Sequence, residues 1–439
     1  MRSKAVSSSL AITLVVLAGL IPAAHALRWQ GLPAALAWLV PLVFLPFGRE
    51  FVRRAGQATL MAGMLATWYT GLGLVRLRLG LGEPWTRLAV IMTLAGLICG
   101  LGALALDHPL FSRDRGRPSR GWPGLAAWAL CLTALLIVQF KVHPAMLLAE
   151  RFLPGAGLLQ ASLMAVYAGF IAEALLAPGR SPVVRRRIWS IFSLAFFSQL
   201  ALGLAGFKTF LMTGYLHPPV PALIVAGPLF RGQGMLMLVL FTITVLLAGP
   251  AWCSHLCYIG ALDSAMAGQR PPKPVKAWLA WARAALAGLV FASAWLLGRS
   301  GLPLLSAAWL GMIFGLIGVG VMVFASRRAG IMTHCLGYCP MGLLAALLGR
   351  LSPWRMTMGQ GCTACGACAK ACRYGALEPR HLALGRPGYS CSLCGDCLER
   401  CPGRELGLKF FIWQGPWVRP AFAALVAGLH ALFLGVAMI

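Results

Sequence analysis

The chain has 439 residues, of which 59% are hydrophobic and 11% are charged, and its 38 basic and 11 acidic residues give a formal net charge of +27. Soluble domains carry roughly a quarter of their residues as Asp, Glu, Lys or Arg, so this composition excludes a compact soluble enzyme and also a disordered chain. A charge of this sign favours nucleic-acid binding in a soluble protein, but membrane proteins collect Lys and Arg in their cytoplasmic loops. The positions of the basic residues decide between these interpretations.

Eleven apolar runs predict membrane-spanning helices, because about 20 residues at helical rise cross the hydrocarbon core. The run 32–48 is the weakest, since it is short and contains two prolines. The first run ends in Ala-His-Ala at 24–26, a pattern typical of a signal-peptidase site, so residues 1–26 are either a cleaved signal peptide or an uncleaved first helix. The runs are 7–26, 32–48, 57–75, 88–106, 122–140, 154–177, 188–206, 234–252, 277–297, 302–325 and 417–438.

The basic residues are concentrated in alternate loops between these runs. With the N-terminus inside, most outer loops carry one basic residue or a small group, and the main exception holds Arg76, Arg78 and Arg87. This asymmetry predicts that the inner loops are cytoplasmic, so most of the positive charge sets topology and no nucleic-acid partner is expected. The inner groups are Arg49, Arg53 and Arg54, then Arg113, Arg115, Arg117 and Arg120, then Arg180, Arg185, Arg186 and Arg187, and then Arg270, Lys273 and Lys276.

Eight cysteines repeat the spacing Cys-x2-Cys-x2-Cys-x3-Cys in two runs that begin at Cys362 and Cys391. Three thiolates on such a loop wrap three corners of a [4Fe–4S] cubane, and in two-cluster ferredoxins the fourth cysteine of each run ligates the other cluster. Zinc sites generally use paired Cys-x2-Cys instead, and disulfides are disfavoured on a cytoplasmic face. The spacing therefore predicts one cluster on Cys362, Cys365, Cys368 and Cys401, and a second on Cys391, Cys394, Cys397 and Cys372. Arg373 replaces the proline expected after the first run.

Two shorter motifs repeat each other at the inner ends of the eighth and tenth predicted spans. Both have the form Cys-x3-Cys-x2-Gly-x-Leu, and they begin at Cys253 and Cys335. An internal repeat suggests two related halves, and four thiolates at one membrane face suggest a further metal centre. The expected ligands are Cys253, Cys257, Cys335 and Cys339. An iron–sulfur centre is the first interpretation, in which His255 or His334 is an alternative ligand. A zinc site and a pair of reducing thiols are the other interpretations.

Two lone cysteines, one acidic residue in a span and one irregular stretch lie outside these motifs. Cys99 and Cys131 lie alone in apolar runs, where free cysteine packs as a small core residue. Glu173 is an acidic residue inside a predicted span, so it is either an ion-pair partner of Arg180 or a candidate for a quinone site. The irregular stretch 207–233 is either an outer loop or a re-entrant segment.

The paired membrane motifs followed by a double ferredoxin run resemble the membrane polyferredoxins of the NapH and NosR type and, more distantly, the copper-oxidase accessory protein CcoG. The resemblance covers about residues 188–415. In that family a proline follows the second cysteine of the membrane motif, as Pro340 does here and Tyr258 does not. The resemblance implies electron transfer in a bacterial inner membrane between the quinone pool or a cytoplasmic donor and a partner oxidoreductase. It implies a subunit of the quinol dehydrogenase type that serves anaerobic or periplasmic respiration.

The alternative function is a redox-sensing factor or an accessory factor in metal-centre assembly. Phosphate-loop, dinucleotide-binding and HExxH motifs are absent from the sequence, and no cysteine is followed directly by histidine, as covalent haem attachment requires.

The predicted fold is an all-α polytopic membrane protein of about 10–11 transmembrane helices with a small inserted α+β ferredoxin-like domain on the cytoplasmic side. The predicted domains are an N-terminal transmembrane region of unknown role (1–187), a transmembrane core with the two Cys-x3-Cys repeats (188–345), the two-cluster domain (346–415) and a C-terminal transmembrane helix (416–439).

Overall fold

The computed structural model describes residues 2–111, 121–211 and 218–436. The predicted inner group Arg113–Arg120 and part of the irregular stretch 207–233 lie outside the described residues. The described part forms two compact units. One consists of residues up to Glu173 with the end of the last helix, and the other is Ala174–Val426.

Ten of the described helices are long and apolar enough to cross a membrane, and they correspond to ten of the eleven predicted runs. The remaining run, 32–48, forms the short apolar helix Leu32–Phe47, which ends in the 3-10 turn Leu45–Phe47. At helical rise it is about 24 Å long, which is less than the roughly 30 Å of a hydrocarbon core. Large apolar side chains such as Trp281, Leu289 and Ile313 are exposed on the long helices, as lipid-facing residues are.

The N-terminal unit is a bundle in which small residues allow the helices to approach closely. A Cβ atom on Gly102 would overlap Ala18, and one on Gly96 would overlap Trp68. Cys99 and Cys131 are fully buried, which confirms the prediction for both. The helices are α1 (Arg2–Gln30), α2 (Leu32–Val43), α3 (Glu50–Gly80), α4 (Thr86–Ala105), α5 (Trp122–Lys141), α6 (Leu148–Phe152) and α7 (Ala156–Leu175).

Charged residues of the predicted inner loops also form ion pairs in this unit. Arg53 is buried and bonds to Glu50 and Asp107. Glu173 forms an ion pair with Arg49 across 3.3 Å. These arginines therefore have structural partners, whatever role their charge has in setting topology.

The second unit contains both Cys-x3-Cys motifs and the segment with the two cysteine runs. Each motif forms a π-helical turn, at Trp252–Leu256 and at His334–Tyr338. Its helices are α8 (Ser181–Leu204), α9 (Leu223–Arg231), α10 (Leu236–Ala248), α11 (Tyr258–Ala267), α12 (Trp278–Arg299), α13 (Leu304–Gly320), α14 (Arg327–Ala329), α15 (Pro340–Leu348), α16 (Ala367–Ala371), α17 (Pro379–Ala383) and the start of α18 (Val418–Gly435).

The cysteine-rich segment, which we define as residues 349–417, lies between α15 and α18. Strands β1 (Trp354–Met358) and β2 (Leu406–Phe410) pair antiparallel, and both cysteine runs lie in the long connection between them. Trp354 at the start of β1 donates its indole N–H to the carbonyl of Leu247 in α10 over 2.9 Å. The segment is thus anchored to α10 at the end of the hairpin where β1 begins and β2 ends.

Candidate metal centres

Both cysteine runs adopt the same backbone conformation. The third residue of each run, Ala364 or Leu393, has a positive φ of 52° or 54°. The fifth residue, Gly366 or Gly395, has a φ of 74° or 78°. Left-handed residues in such loops turn successive backbone N–H groups toward one point and form a nest for anions, as at many iron–sulfur sites. The repeat in the sequence is therefore also a repeat in the backbone.

The structure brings the fourth cysteine of the first run to the second run. Burial raises the pKa of Cys391 and Cys394 to about 12, and the thiol of Cys372 contributes to both shifts. Burial also raises the pKa of Cys397 well above its usual value, and Cys394, Cys391 and Cys372 raise it further. Ala376 donates its backbone N–H to the Cys372 sulfur over 3.3 Å. These four thiols form one group, which we call group 2.

The fourth cysteine of the second run lies correspondingly beside the first run. Burial raises the pKa of Cys368, and the neighbouring thiols of Cys401 and Cys362 add to the shift. Cys365 of the same run is exposed to solvent, whereas Cys368 is buried. These four residues, group 1, thus lie at the surface of the cysteine-rich segment.

The two Cys-x3-Cys motifs superpose in their backbone geometry as well. The first cysteine of each lies in the π-helical turn, and the second caps the following helix with φ and ψ of −84° and 114° at Cys257 and −77° and 116° at Cys339. Tyr258 and Pro340 occupy the same first helical position, where proline is favoured because its φ is preset. The departure at Tyr258 leaves the backbone of the motif unchanged.

The glycine of each motif is required by a close backbone approach. A Cβ atom on Gly260 would lie 2.6 Å from the carbonyl oxygen of Cys253, and one on Gly342 would lie 2.7 Å from that of Cys335. Both contacts are too short for any side chain. The N–H groups of Gly342 and Met341 also face the Cys339 sulfur and lower its pKa, although burial raises it more.

The four motif cysteines come together in one buried group, group 3. Each is between 5% and 8% exposed. Burial raises the pKa of Cys335, and the carboxylate of Asp263 and the thiols of Cys339, Cys253 and Cys257 raise it further. Because four crowded thiolates are unfavourable in a buried site, such a group favours a bound cation that balances their charge.

Several charged and aromatic side chains that sequence reasoning did not single out surround group 3. Arg185, predicted to lie in an inner loop, is 3% exposed and binds Asp396 in a bidentate pair at 2.9 and 2.7 Å. It also donates to the carbonyl of Ser254 over 3.0 Å. Arg283 donates to the carbonyl of Cys335 over 3.1 Å. Its position inside a predicted span was the signal that could have identified it, since charge in lipid is costly.

Tyr374 lies between group 3 and group 2. It is 5% exposed, and its hydroxyl donates to the carbonyl of Cys253 over 3.4 Å. Burial raises the pKa of Tyr374, and the thiols of Cys335 and Cys253 in group 3 and of Cys394 in group 2 raise it further. The side chain of Tyr374 is therefore a neighbour of both group 2 and group 3.

Arg373 and the two histidines of the membrane motifs each contact neighbouring residues. Arg373, where proline was expected, bonds to the carbonyls of Arg270 and Gly330 and so ties the cysteine-rich segment to two loops between long helices. The ring of His334 lies 5.3 Å from that of Tyr338 with a tilt of 38° between their planes, and burial lowers the pKa of His334 to about 4. His255 lies 3.0 Å from the hydroxyl of Ser254.

Among the described residues, no three His, Cys, Asp or Glu side chains are placed to hold a single metal ion. A zinc ion with bonds of about 2.3 Å would hold its sulfurs roughly 3.8 Å apart. A cubane holds its four thiolates farther apart, because each binds a different corner. The absence of such a group in the described part of the chain therefore argues against a single-ion site such as zinc, and it does not test for a cubane.

A family model described as a 4Fe-4S binding domain, Fer4_5, matches residues 230–274. The match contains the first Cys-x3-Cys motif and supports an iron–sulfur electron-transfer role for this part of the chain. No curated protein and no solved structure is matched by the chain. The matched stretch ends before the two ferredoxin-type runs, so the comparison and the spacing of those runs point to iron–sulfur chemistry from separate parts of the sequence.

Proposed function

We propose that the chain is an integral membrane electron-transfer protein in which each of the three thiol groups holds a [4Fe–4S] cluster. Group 1 would supply Cys362, Cys365, Cys368 and Cys401, group 2 would supply Cys372, Cys391, Cys394 and Cys397, and group 3 would supply Cys253, Cys257, Cys335 and Cys339. Such clusters supply one-electron chemistry at a potential set by burial, hydrogen bonds to sulfur and nearby charge.

The observation that carries this proposal is the continuity of the three groups. Group 1 includes the exposed Cys365, group 2 of the same segment includes the buried Cys397, and all four cysteines of group 3 are buried. Group 2 and group 3 share Tyr374 as a neighbour, and Arg185 binds both Asp396 of the second run and the turn that contains Cys253. This order fits electron passage between the surface of the segment and the membrane.

The surroundings of group 3 support a cytoplasmic position for the cysteine-rich segment in a bacterial inner membrane. Arg373 binds the carbonyl of Arg270, and the nearby loop ends carry Lys273, Arg327 and Arg328. This accumulation of positive charge at one end of the long helices follows the positive-inside rule. We propose that the electrons pass between the quinone pool or a cytoplasmic donor and a partner oxidoreductase, as the NapH and NosR resemblance implies.

Anaerobic purification of the full chain tests the proposal. We expect about twelve irons and as many sulfides per chain, electron paramagnetic resonance (EPR) signals of [4Fe–4S]⁺ after dithionite reduction, and reoxidation by the quinone analogue menadione. Fewer than about eight irons would refute the assignment of groups 1 and 2 as clusters. Clusters that reduce normally but never exchange electrons with a quinone would refute the quinone role.

A further inference from the structure

Arg283 is a charged residue on a membrane-spanning helix that points at group 3. It lies in the first two turns of α12, within the span Trp278–Arg299. Its guanidinium donates to the carbonyl of Cys335 over 3.1 Å. A Cβ atom on Gly342 would lie 3.7 Å from the same guanidinium, so Arg283 reaches the second motif at two points.

The charge of Arg283 acts on three thiols of the group. It interacts electrostatically with Cys253, Cys339 and Cys335. Its Nε is buried without a hydrogen-bond partner among the described residues. Burying a cation on a lipid-facing helix is costly, and the cost is offset where the cation faces concentrated negative charge.

We propose that Arg283 is a positioning residue for group 3, whose fixed positive charge stabilises the reduced form of the centre bound there and raises its midpoint potential. This inference rests on the proposed iron–sulfur centre at group 3. Reduction adds one electron, donated through the cysteine-rich segment, and no bond forms or breaks. A cation held beside the thiolates favours the state with the added negative charge, because the buried surroundings screen the interaction weakly.

The test is an EPR-monitored redox titration of the full chain with the variants Arg283→Gln and Arg283→Lys. We expect Arg283→Gln to shift the oxidised-to-reduced ratio of one centre about tenfold toward the oxidised form, which is about 59 mV for one electron. Arg283→Lys keeps the charge, so the midpoint potential of that centre should stay close to its value in the unchanged chain. The midpoint potentials of the other two centres should not change in either variant. The matched control is Arg299→Gln, at the other end of the same helix, where the arginine lies over Trp295.

Two outcomes would overturn the proposal. One is a potential in Arg283→Gln equal to that of the unchanged chain at full iron content. The other is an Arg283→Lys variant with the same midpoint potential as Arg283→Gln. That result would show that the potential depends on the guanidinium geometry and not on the positive charge. If Arg283→Gln loses iron, the midpoint potential of Arg283→Lys is compared with that of the unchanged chain instead. The proposal then requires the two potentials to be equal. Failure of the proposed function is distinguishable, because then no third centre is present in any variant.

Discussion

At the scale of single residues, the sequence predicts that the two cysteine runs exchange their fourth cysteines as cluster ligands. Cys372 follows the first run in the chain but lies with Cys391, Cys394 and Cys397. Cys372 ends α16 with an extended backbone, with φ of −83° and ψ of 98°. The thiol therefore belongs to group 2.

A pair of double variants tests this exchange. Cys372→Ser and Cys394→Ser should each remove the same centre, so combining them should lower the iron content no further than either alone. Cys372→Ser combined with Cys365→Ser should remove two centres, about eight irons. Cys131→Ser, a buried thiol of the N-terminal unit, is the control and should keep the full iron content. Iron loss on combining Cys372→Ser with Cys394→Ser would contradict exchanged ligation.

The buried pair of Arg185 and Asp396 gives a second prediction at this scale. Their side chains are 4% and 10% exposed, so Arg185→Met leaves an uncompensated carboxylate and should destabilise the protein by about 3–5 kcal/mol. The double variant Arg185→Met with Asp396→Leu should recover most of that loss, because both charges are then absent. Unfolding of the purified protein in detergent measures both changes. A double variant as unstable as the single one would contradict this explanation.

At the scale of elements, the π-helical turn followed by a capped helix is the unit that the two membrane motifs share. The glycine in this unit has no room for a side chain, at Gly260 or at Gly342. The turn, the cap and the glycine recur together, and two copies of the unit supply all four thiols of group 3.

Gly342→Ala tests the unit. The added methyl would lie 2.7 Å from the carbonyl oxygen of Cys335, so the turn must move at a cost of about 1–3 kcal/mol. We expect the iron content to fall by about four while the centres of the cysteine-rich segment remain. Gly288→Ala in α12, where a Cβ meets nothing within 4 Å, is the control. Full iron content in Gly342→Ala would show that the close approach is not required.

Sequence patterns predicted the long apolar helices and the groups of cysteines, because hydrophobic length and ligand spacing are local properties. They did not predict that Arg185 and Arg283 face the thiols, because that depends on how distant segments pack. The same holds for Arg373, whose substitution for proline has its reason in two carbonyls about 40 and 100 residues away in the chain. Tyr374 carries no motif at all, and only its packing between groups 2 and 3 identifies it.

At the scale of the whole molecule, the number of spans decides the topology. With the cysteine-rich segment on the cytoplasmic side, ten spans place the start of α1 outside, whereas the eleven predicted spans place it inside. With eleven spans, Gly31 and Glu83 lie on the same side of the membrane. With ten spans they lie on opposite sides, because only α3 crosses between them. We expect epitope tags inserted at these two positions to be cleaved by protease from opposite sides of sealed vesicles. Cleavage of both tags from one side would restore Leu32–Phe47 as a span.

The central claim is that three adjacent iron–sulfur centres connect the surface of the cysteine-rich segment to the membrane helices. An EPR-monitored redox titration of the anaerobically purified full chain tests it most directly. We predict three [4Fe–4S]⁺ signals that broaden by mutual spin interaction when all centres are reduced, since groups 2 and 3 share Tyr374 as a neighbour. Fewer than three centres, or three signals that stay unbroadened at full reduction, would contradict it.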